Sequence, residues 1–444
     1  MAETDTIYAL ATAPGRAGIA VFRLSGPSAG GALRQIAKLD ALPDARRTIR
    51  CRMVHPVTGD LLDDGIAIWF PAPASFTGED VAELHIHGGR ATTDAIAAAL
   101  SGFGGLRMAE PGEFSKRAFL GGKVDLTGAE AVSDLVDAET DAQRRQALTQ
   151  LGGGLAGRLE AWRTQLIDVL AHTEAWIDFP DEDLPDGVAQ SAREKISELR
   201  AEIGEFLADN RRGERLRDGL QIAIMGAPNA GKSSLLNALA QRDAAIVSDA
   251  AGTTRDVIEV HLDLGGWPVT LADTARLRDS GDEIEQEGVR RALDRGELAD
   301  LRLVVFDGST APDTTSLGLL ENGDTIAVAN KSDLPGPAAG FFDGIELLSV
   351  SAKTGDGLAD LLSRIEVTAA TFFCHGGQAP LTRARHREAL TACVAALERA
   401  GAAIKSELVA EDLRLAARAL GRGTGRVDVE DLLDVIFADF CIGK

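Results

Sequence analysis

The first 118 residues alternate two kinds of hydrophobic pattern. The runs GIAVFRL, TIRCRMV, GIAIWF and VAELHIH are short, apolar and rich in β-branched residues, as strands are. Between them, GGALRQIAKL and ATTDAIAAAL place apolar residues at the spacing of an amphipathic helix. Strands and helices mixed over so short a stretch predict a compact α+β domain covering residues 1–118.

A helical pattern covers residues 119–215 and returns over residues 371–444. Its longest example is GRLEAWRTQLIDVLAHTEAWIDF, and the segment FPDEDLPDG, with its prolines and acids, predicts a loop between helices. The two helical stretches share composition and period. We therefore expect one helical domain that is split in sequence, and two separate helical pieces remain the alternative.

The pattern changes character between residues 216 and 370, where QIAIMG, VTLAD, LRLVVFD, TIAVAN and LLSVSA alternate with helices. Continuous apolar strands separated by helices are typical of a parallel sheet covered on both faces. The predicted fold class is therefore α/β plus α. It comprises an N-terminal α+β domain, a helical domain split in sequence, and an α/β domain inserted into that helical domain.

Length and charge limit the function. The chain of 444 residues is long enough for two or three domains, and its formal net charge is −22. A chain this acidic does not attract nucleic acid through its overall field, so contact with RNA would need a local basic patch or a basic partner. The basic runs are short, such as Arg144-Arg145 and Arg211-Arg212.

The composition predicts a cytoplasmic protein. No apolar run reaches the roughly 18 residues that a membrane span needs, and the acidic start MAETDTIYALATAPGR does not resemble a secretory signal. The four cysteines are scattered, which favours reduced thiols over disulfides. They are Cys51, Cys374, Cys393 and Cys441.

The strongest motif is GAPNAGKSS at residues 226–234, which follows the predicted strand QIAIM and leads into the predicted helix KSSLLNALA. This strand–loop–helix context is what a phosphate-binding loop requires. Backbone N–H groups of the loop and the helix N-terminus would face a phosphate. Lys232 would supply charge at the outer phosphates, and the Ser233 hydroxyl would ligate Mg²⁺.

A second motif, NKSD at residues 330–333, ends the predicted strand TIAVAN. The carboxylate of Asp333 can accept hydrogen bonds from N1–H and the exocyclic amine of guanine, whereas adenine would leave it unpaired at a cost of about 1–3 kcal/mol. Asn330 and Lys331 would brace the loop and cover the base. The segment SAK at residues 351–353 would add a backbone contact, so the motifs together predict a guanine-nucleotide site.

Two segments between these motifs are candidates for sensing the γ-phosphate. A threonine of AGTTRD, residues 251–256, can complete Mg²⁺ coordination, and Asp273 of DTAR can hold a metal-bound water. The sequence LADTARLR departs from the usual Asp-x-x-Gly pattern, because Arg276 and Leu277 replace the glycine and the residue that positions water. A leucine cannot orient a water, which excludes a Ras-like glutamine mechanism.

The ordered set GAPNAGKSSLLNALA, AAIVSDAAGTTRD, DTAR, NKSD and SAKTGDG resembles the MnmE (TrmE) family of bacterial tRNA-modification GTPases. The segments ATAPGRAGIAVFRLSG, SFTGEDVAELHIHGG, PGEFSKRAFLGGKVDL and FPDEDLP and the final CIGK extend the resemblance over the whole chain. It implies an N-terminal folate-binding and dimerisation domain, a split helical domain and an inserted Ras-like P-loop GTPase domain.

The resemblance also implies partners. The chain would form a homodimer and would act with the flavoprotein MnmG, as a heterotetramer with two copies of each protein. Together they would add a carboxymethylaminomethyl or aminomethyl group at C5 of the wobble uridine of certain tRNAs. The one-carbon donor would be 5-formyltetrahydrofolate or a related folate, and no membrane is involved.

The resemblance assigns the hydrolytic chemistry to K⁺, one per subunit, bound as two G domains dimerise. The cation would replace an arginine finger, and Glu285 would position the water, with Lys232 as the other catalytic residue. The K⁺ ligands would be Asn229, Ser248, Ala250 and Thr253, and the Mg²⁺ ligands Ser233 and Thr254. The GTP-binding candidates are Asn229, Ala230, Gly231, Lys232, Ser233, Ser234, Ser248, Thr253, Thr254, Asp273, Thr274, Ala275, Arg276, Asn330, Lys331, Asp333, Ser351, Ala352 and Lys353.

Arg276 is a departure from the family, which has glycine there. The backbone N–H remains, so we expect GTP binding to survive, but a switch that needs a positive φ is costlier with arginine and turnover is expected to be slower. Two rival hypotheses stay open. One is a regulatory GTPase of ribosome assembly, and the other, suggested only by Arg276, is a non-enzymatic scaffold with a degenerate G domain.

By the same resemblance the folate-binding residues are Arg23, Glu83, Lys123 and Lys444. A carboxylate can pair with the amino and N3–H edge of a pterin, and basic groups can face a glutamate tail. Two further features have open interpretations. His85 and His87 of HIH would form a metal pair on one strand face, although structural or surface histidines are the favoured interpretation. Cys441 is expected to position the tail rather than to carry a lipid.

Overall fold

The structure is a computed structural model. The chain folds into two compact units. Residues 1–133, 150–200 and 389–444 form the first unit, and residues 134–149 and 201–388 form the second. None of the described helices is long and apolar enough to cross a membrane. The described residues are 5–178, 188–242, 244–246, 259–273, 299–320, 324–336, 341–342, 345–373 and 381–427, with Leu433, Ile436, Phe437, Phe440 and Gly443.

The N-terminal part of the first unit is a six-stranded sheet with helices on it. All neighbouring strands are antiparallel except the pair formed by the first and last strands, which is parallel. The strands are β1 (Thr6–Leu10), β2 (Ala20–Ser25), β3 (Thr48–Val54), β4 (Leu61–Phe70), β5 (Val81–Ile86) and β6 (Leu106–Met108), in the order β3-β4-β5-β2-β1-β6. The helices are α1 (Ala29–Ile36), α2 (Arg90–Ser101) and α3 (Glu113–Leu120).

This sheet confirms the predicted α+β domain. Each of the predicted strands and helices is present, and β1 and β6 were not predicted. Strand β1 is buried on both faces and β6 has only three residues, so neither shows the alternation that marks a half-buried strand. Apolar side chains of the sheet, among them Phe22, Leu24 and Leu84, form one core with α1 and α2.

Five helices follow: α4 (Leu126–Asp137), α5 (Asp141–Leu151), α6 (Gly154–Asp178), α7 (Val188–Leu207) and α8 (Arg212–Asp218). In α6 the buried residues recur on one face, including Leu159, Trp162 and Leu166. That spacing is the amphipathic pattern expected for a helix of a bundle. The loop predicted over FPDEDLPDG lies at residues 179–187, outside the described residues.

The second unit contains a seven-stranded sheet. Its elements in chain order are β7 (Leu220–Met225), α9 (Lys232–Ala240), β8 (Glu259–Leu264), β9 (Trp267–Asp273), β10 (Leu301–Asp307), α10 (Thr314–Gly318), β11 (Thr325–Asn330), β12 (Phe341–Phe342), β13 (Ile345–Ser349) and α11 (Leu358–Phe373). The strand order is β12-β13-β11-β10-β7-β9-β8. The five inner strands are mutually parallel, as predicted.

The two edge strands correct the prediction of a wholly parallel sheet. Strand β8 pairs with β9 in the antiparallel direction, and so does β12 with β13. Strand β8 alternates buried residues with residues that are at least partly exposed, so it lacks the continuous apolar run that marks the inner strands. The central strands carry such runs because helices cover both faces of the sheet.

Two helices close the described chain: α12 (Ala384–Ala402) and α13 (Ser406–Thr424). Helix α13 packs against α6, which precedes the seven-stranded sheet in sequence. The contact is close because Gly423 has no side chain, and a Cβ there would lie 3.1 Å from Leu159. The helical domain is therefore split in sequence, and the alternative of two separate helical pieces is wrong.

Candidate nucleotide-binding site

The phosphate-loop sequence forms the turn that connects β7 to α9. Its backbone needs positive φ at Gly226 (136°), Asn229 (65°) and Gly231 (93°). Glycine adopts such angles without strain, and asparagine tolerates the left-handed region better than most residues. Gly231 is required for a second reason, because a Cβ at this position would overlap the side-chain amide of Asn330.

Lys232 begins α9 and folds back over this loop. Its side chain is buried, and Nζ donates to the carbonyl oxygens of Gly226 at 2.8 Å and Ala227 at 2.9 Å. An ammonium group held by two carbonyls at the helix N-terminus places positive charge beside the backbone N–H groups of the first turn. This end of the sheet is therefore suited to an anion.

Asn330 connects the phosphate loop to the loop after β13. It is 2% exposed, its Nδ2 donates to the carbonyl of Ala230 at 3.0 Å, and its Oδ1 accepts from the backbone N–H of Ala352 at 3.0 Å. Because a buried amide is costly to leave unpaired, both loops are held at fixed positions by one side chain. Segments 226–231, 330–333 and 351–353 thus form one site.

The carboxylate of Asp333 is oriented by a buried neighbour. Ser351, which is fully buried, donates from Oγ to Asp333 Oδ1 at 2.8 Å and accepts from the backbone N–H of Thr354 at 3.1 Å. Asp333 itself is exposed. This hydrogen bond to Oδ1 restricts the rotamer of the Asp333 carboxylate.

Lys331 pairs with Asp307, which ends the neighbouring strand β10. The two atoms, Nζ and Oδ2, are 2.7 Å apart, and Ser309 donates to the other carboxylate oxygen. Burial alone would raise the pKa of Asp307, but the hydrogen bonds from Lys331 and Ser309 outweigh it and lower that pKa. This pair fixes Lys331 in its left-handed conformation (φ 66°).

Two residues that support the site were not predicted from the sequence. They are Asp307, described above, and Ser316 of α10, which is fully buried and accepts through Oγ from the backbone N–H of Ala227 at 3.1 Å. Asp307 could have been predicted, because it ends the apolar run LRLVVFD, which lies between two strands whose ends were already assigned to the site. Nothing local marks Ser316.

The remaining nucleotide-site candidates fall into two groups. Ser233 and Ser234 lie in the first turn of α9, Lys353 follows Ala352, and the backbone of Asp273 ends β9, whose register pairs it with Ile224 of β7. The others lie outside the described residues: Ser248, Ala250, Thr253, Thr254, Thr274, Ala275, Arg276 and Glu285.

The predicted folate residues lie in the first unit. Arg23 of β2 and Glu83 of β5 are register partners, and Arg23 Nε donates to Glu83 Oε1 at 3.0 Å. The guanidinium carbon lies 5.8 Å and 6.0 Å from the ring centroids of Phe114 and Phe76. A carboxylate, a cation and two aromatic rings therefore meet at one place on the sheet.

The two other folate candidates are less well fixed. Lys123 is exposed, and its side chain passes so close to Gly78 that a Cβ there would lie 2.9 Å from Lys123 Cε. Lys444 lies outside the described residues, but Gly443 lies against Leu10 at the end of β1. Gly443 thus lies against the same sheet that carries Arg23.

The histidines of HIH have carboxylate partners. Nε2 of His85 lies 3.2 Å from Glu83 and Nδ1 of His87 lies 2.8 Å from Asp63. Within the described part of the chain no cluster of three or more metal-ligating side chains occurs. Cys51 and Cys393 are buried free thiols, while Cys374 and Cys441 lie outside the described residues.

Comparison with known proteins gives matches over the whole chain. Residues 6–123 match the family model described as GTP-binding protein TrmE N-terminus, and residues 126–441 match that of the MnmE helical domain. The second match spans the seven-stranded sheet, as expected for an insertion.

Curated relatives cover the same length. The chain is 59% identical over 444 residues to the tRNA modification GTPase MnmE of Paramagnetospirillum magneticum, covering 99% of this chain and 100% of that protein. It is 57% identical over 447 residues to the protein of the same name from Parvibaculum lavamentivorans, with the same coverage.

Solved structures resemble parts of the chain. One is the G domain of the T. maritima FeoB iron transporter, 26% identical, covering 34% of this chain and 98% of that chain with a TM-score of 0.25. Another is a Sulfolobus solfataricus GTP-binding protein in complex with GDP, 15% identical, covering 51% of this chain and 72% of that chain with a TM-score of 0.26.

Proposed function

The chain belongs to the MnmE family of tRNA modification GTPases, and from that premise we propose that its GTP hydrolysis drives placement of an aminomethyl-type group, such as carboxymethylaminomethyl, at C5 of the wobble uridine of certain tRNAs. The observation that carries the proposal is the bridge made by Asn330, which ties the phosphate loop to the guanine-reading segments. The chain is accordingly a GTP hydrolase that acts in tRNA modification.

GTP would bind along the end of the sheet. Backbone N–H groups of residues 226–231 and the start of α9 face the phosphates, and Lys232 turns from the loop carbonyls to the β- and γ-phosphates. The Asp333 carboxylate, whose rotamer is set by Ser351, would accept hydrogen bonds from the N1–H and the exocyclic amine of guanine. Ser233, which lies in the first turn of α9, would hold Mg²⁺, with Thr254 as the proposed second protein ligand.

We attribute the hydrolytic step to residues outside the usual glutamine mechanism, since Leu277 cannot orient water. Asn229 is exposed at the tip of the phosphate loop in a left-handed conformation, which presents oxygen atoms suited to K⁺. Ser248, Ala250 and Thr253 complete the proposed set. When bound, the cation supplies positive charge to the phosphoryl-transfer transition state as two G domains dimerise.

In the same proposal Glu285 positions the attacking water. The backbone N–H of Arg276 contacts the γ-phosphate in place of the family's glycine, at the cost of slower switching. The scaffold hypothesis rests on Arg276 alone, whereas the position of Lys232 at the phosphate loop and the bridge made by Asn330 support a working GTPase.

The one-carbon unit would come from 5-formyltetrahydrofolate or a related folate bound at the Arg23–Glu83 pair. The chemistry fits, because the Glu83 carboxylate can accept from a pterin edge, and the partly buried ring of Phe76 lies beside the Arg23 guanidinium. Lys123 and Lys444 would face the glutamate tail. The flavin belongs to the partner MnmG, with which a homodimer of this chain forms the active assembly.

The test is reconstitution of the modification. The full-length chain, MnmG, the folate donor, GTP and unmodified tRNA are incubated, and wobble nucleosides are analysed by mass spectrometry. We expect a C5-modified uridine with the native chain, no product with Lys232→Ala, and full product with the control Lys195→Ala, which removes a half-exposed lysine of α7.

Circular dichroism of each variant reports folding in the same experiment. GTP hydrolysis stimulated by ribosomal subunits, with no modified nucleoside, would contradict the proposal and support the ribosome-assembly alternative.

A further inference from the structure

Helix α13 carries a stripe of arginines. Arg414, Arg418 and Arg422 recur every four residues, Arg426 follows the helix, and all four side chains are exposed. Residues four apart lie on one face of a helix, so the first three span about 12 Å along it. Residues 413–427 contain no Asp or Glu.

The stripe borders an open groove between α12 and α13 with a volume of about 440 Å³. Small side chains form much of its surface, and the described residues that line it include no carboxylate. Its lining residues are Ala392, Ala395, Ala396 and Arg399 from α12, and Leu415, Arg418, Ala419 and Arg422 from α13.

The charge of this region is opposite to that of the whole chain. Residues 389–427, which belong to the first unit, hold six Lys and Arg against four Asp and Glu, while the chain has 46 against 68. A basic surface on an acidic protein focuses polyanions at one place, because the rest of the molecule repels them. Such a surface is the local basic patch that RNA contact would need.

Carboxylates approach the stripe from its flanks. Asp412 pairs with Arg399 at 2.8 Å, and Glu174 pairs with Arg414 at 2.8 Å. Other flanking pairs join Glu411 to Arg414 at 3.0 Å and Glu160 to Arg426 at 3.3 Å. Exposed ion pairs contribute only about 0–1 kcal/mol each, so a phosphate that binds a guanidinium in bidentate fashion can compete with them.

We propose that the α12–α13 groove binds the phosphate backbone of the tRNA. The inference rests on the proposed function, from which tRNA is the substrate. Arginine suits this task because its planar guanidinium matches the geometry of phosphate oxygens. The small alanine side chains that line the groove let the RNA backbone approach closely. A protein helix would need several large apolar anchors, whereas the groove lining offers only Leu415.

The test compares tRNA binding by two full-length double variants. Arg418→Ala/Arg422→Ala removes two charges from the groove, and Arg90→Ala/Arg193→Ala removes two exposed charges from α2 and α7 as a matched control. Affinity for unmodified tRNA is measured by fluorescence anisotropy over a series of KCl concentrations. We expect the groove variant to bind tRNA at least about tenfold more weakly. We also expect the slope of log affinity against log salt concentration to become smaller in magnitude by about two, because two phosphate contacts are removed.

The control is expected to match the native chain, and unchanged GTP turnover in both variants shows that they fold. Native affinity and native slope in the groove variant would overturn this inference while leaving modification activity, and so the proposed function, intact. Normal tRNA binding combined with loss of MnmG in gel filtration would also overturn it, by assigning the groove to a protein.

Discussion

At the scale of single residues, the base-binding end of the site depends on few side chains. Asn330 joins two loops, and Ser351 sets the rotamer of Asp333. The order of the motifs was enough to predict these residues, because each follows an apolar strand. Ser316 could not be predicted, since its bond to Ala227 joins residues that are 89 positions apart and depends on the tertiary fold.

The residue-scale prediction concerns the base. Asp333→Asn replaces an acceptor by a side chain that donates through its amide, so it matches xanthine, which has a carbonyl where guanine has an amine. We expect GTP affinity to fall about 10- to 100-fold, the equivalent of about 1–3 kcal/mol, and xanthosine triphosphate to become the preferred nucleotide. Titration with fluorescent nucleotide analogues measures both changes.

The control is Asp360→Asn, which removes an exposed carboxylate from the first turn of α11 and should leave both affinities unchanged. A variant at Asp333 that still prefers GTP would mean that this carboxylate does not contact the base.

At the scale of elements, sequence patterns located most of the strands and missed those at edges and ends. Strand β6 has three residues, yet its Arg107 donates to both oxygens of Glu113 in α3, at 2.6 Å and 2.8 Å. Arg117 of α3 donates to the same carboxylate at 2.9 Å. An ion-pair network thus joins β6 to α3 beside the small apolar cluster that includes Ile7 and Phe114, and β6 by itself is too short to show a hydrophobic pattern.

Glu113 makes this network sensitive to acid. Burial alone would raise the pKa of Glu113, but hydrogen bonds from Arg107, the backbone of Glu110 and Arg117 outweigh burial and lower it from 4.5 to about 2. The folded state therefore binds fewer protons than the unfolded state between these values. The contribution is fully present above about pH 4.5 and is lost as pH falls toward 2.

The element-scale prediction is that Glu113→Gln lowers the free energy of unfolding of the N-terminal sheet by about 2–3 kcal/mol at neutral pH, and by less as the pH approaches 2. Urea unfolding followed by pulse-labelling hydrogen exchange of peptides covering β1 and β6 measures it. The exposed neighbour Glu110→Gln is the control and should show little change. An equal loss at every pH would refute the assigned role of the carboxylate charge.

At the scale of the whole molecule, sequence periodicity predicted the split helical domain, and the packing of α6 on α13 bears it out. The antiparallel edges of the seven-stranded sheet were not predicted, because β8 alternates in burial and β12 has only two residues, so neither shows a continuous apolar run. The arginine stripe was not predicted either. Its members are four residues apart, so they do not form a run of consecutive basic residues. Helical periodicity of charge was the missing signal.

We propose that two copies of this GTPase module close over K⁺ to hydrolyse GTP. The most direct measurement is the GTP turnover of the full-length chain in potassium chloride and in sodium chloride at equal ionic strength. We predict turnover at least about tenfold faster in potassium, the equivalent of about 1.4 kcal/mol in the barrier. Equal turnover in the two salts would contradict the claim.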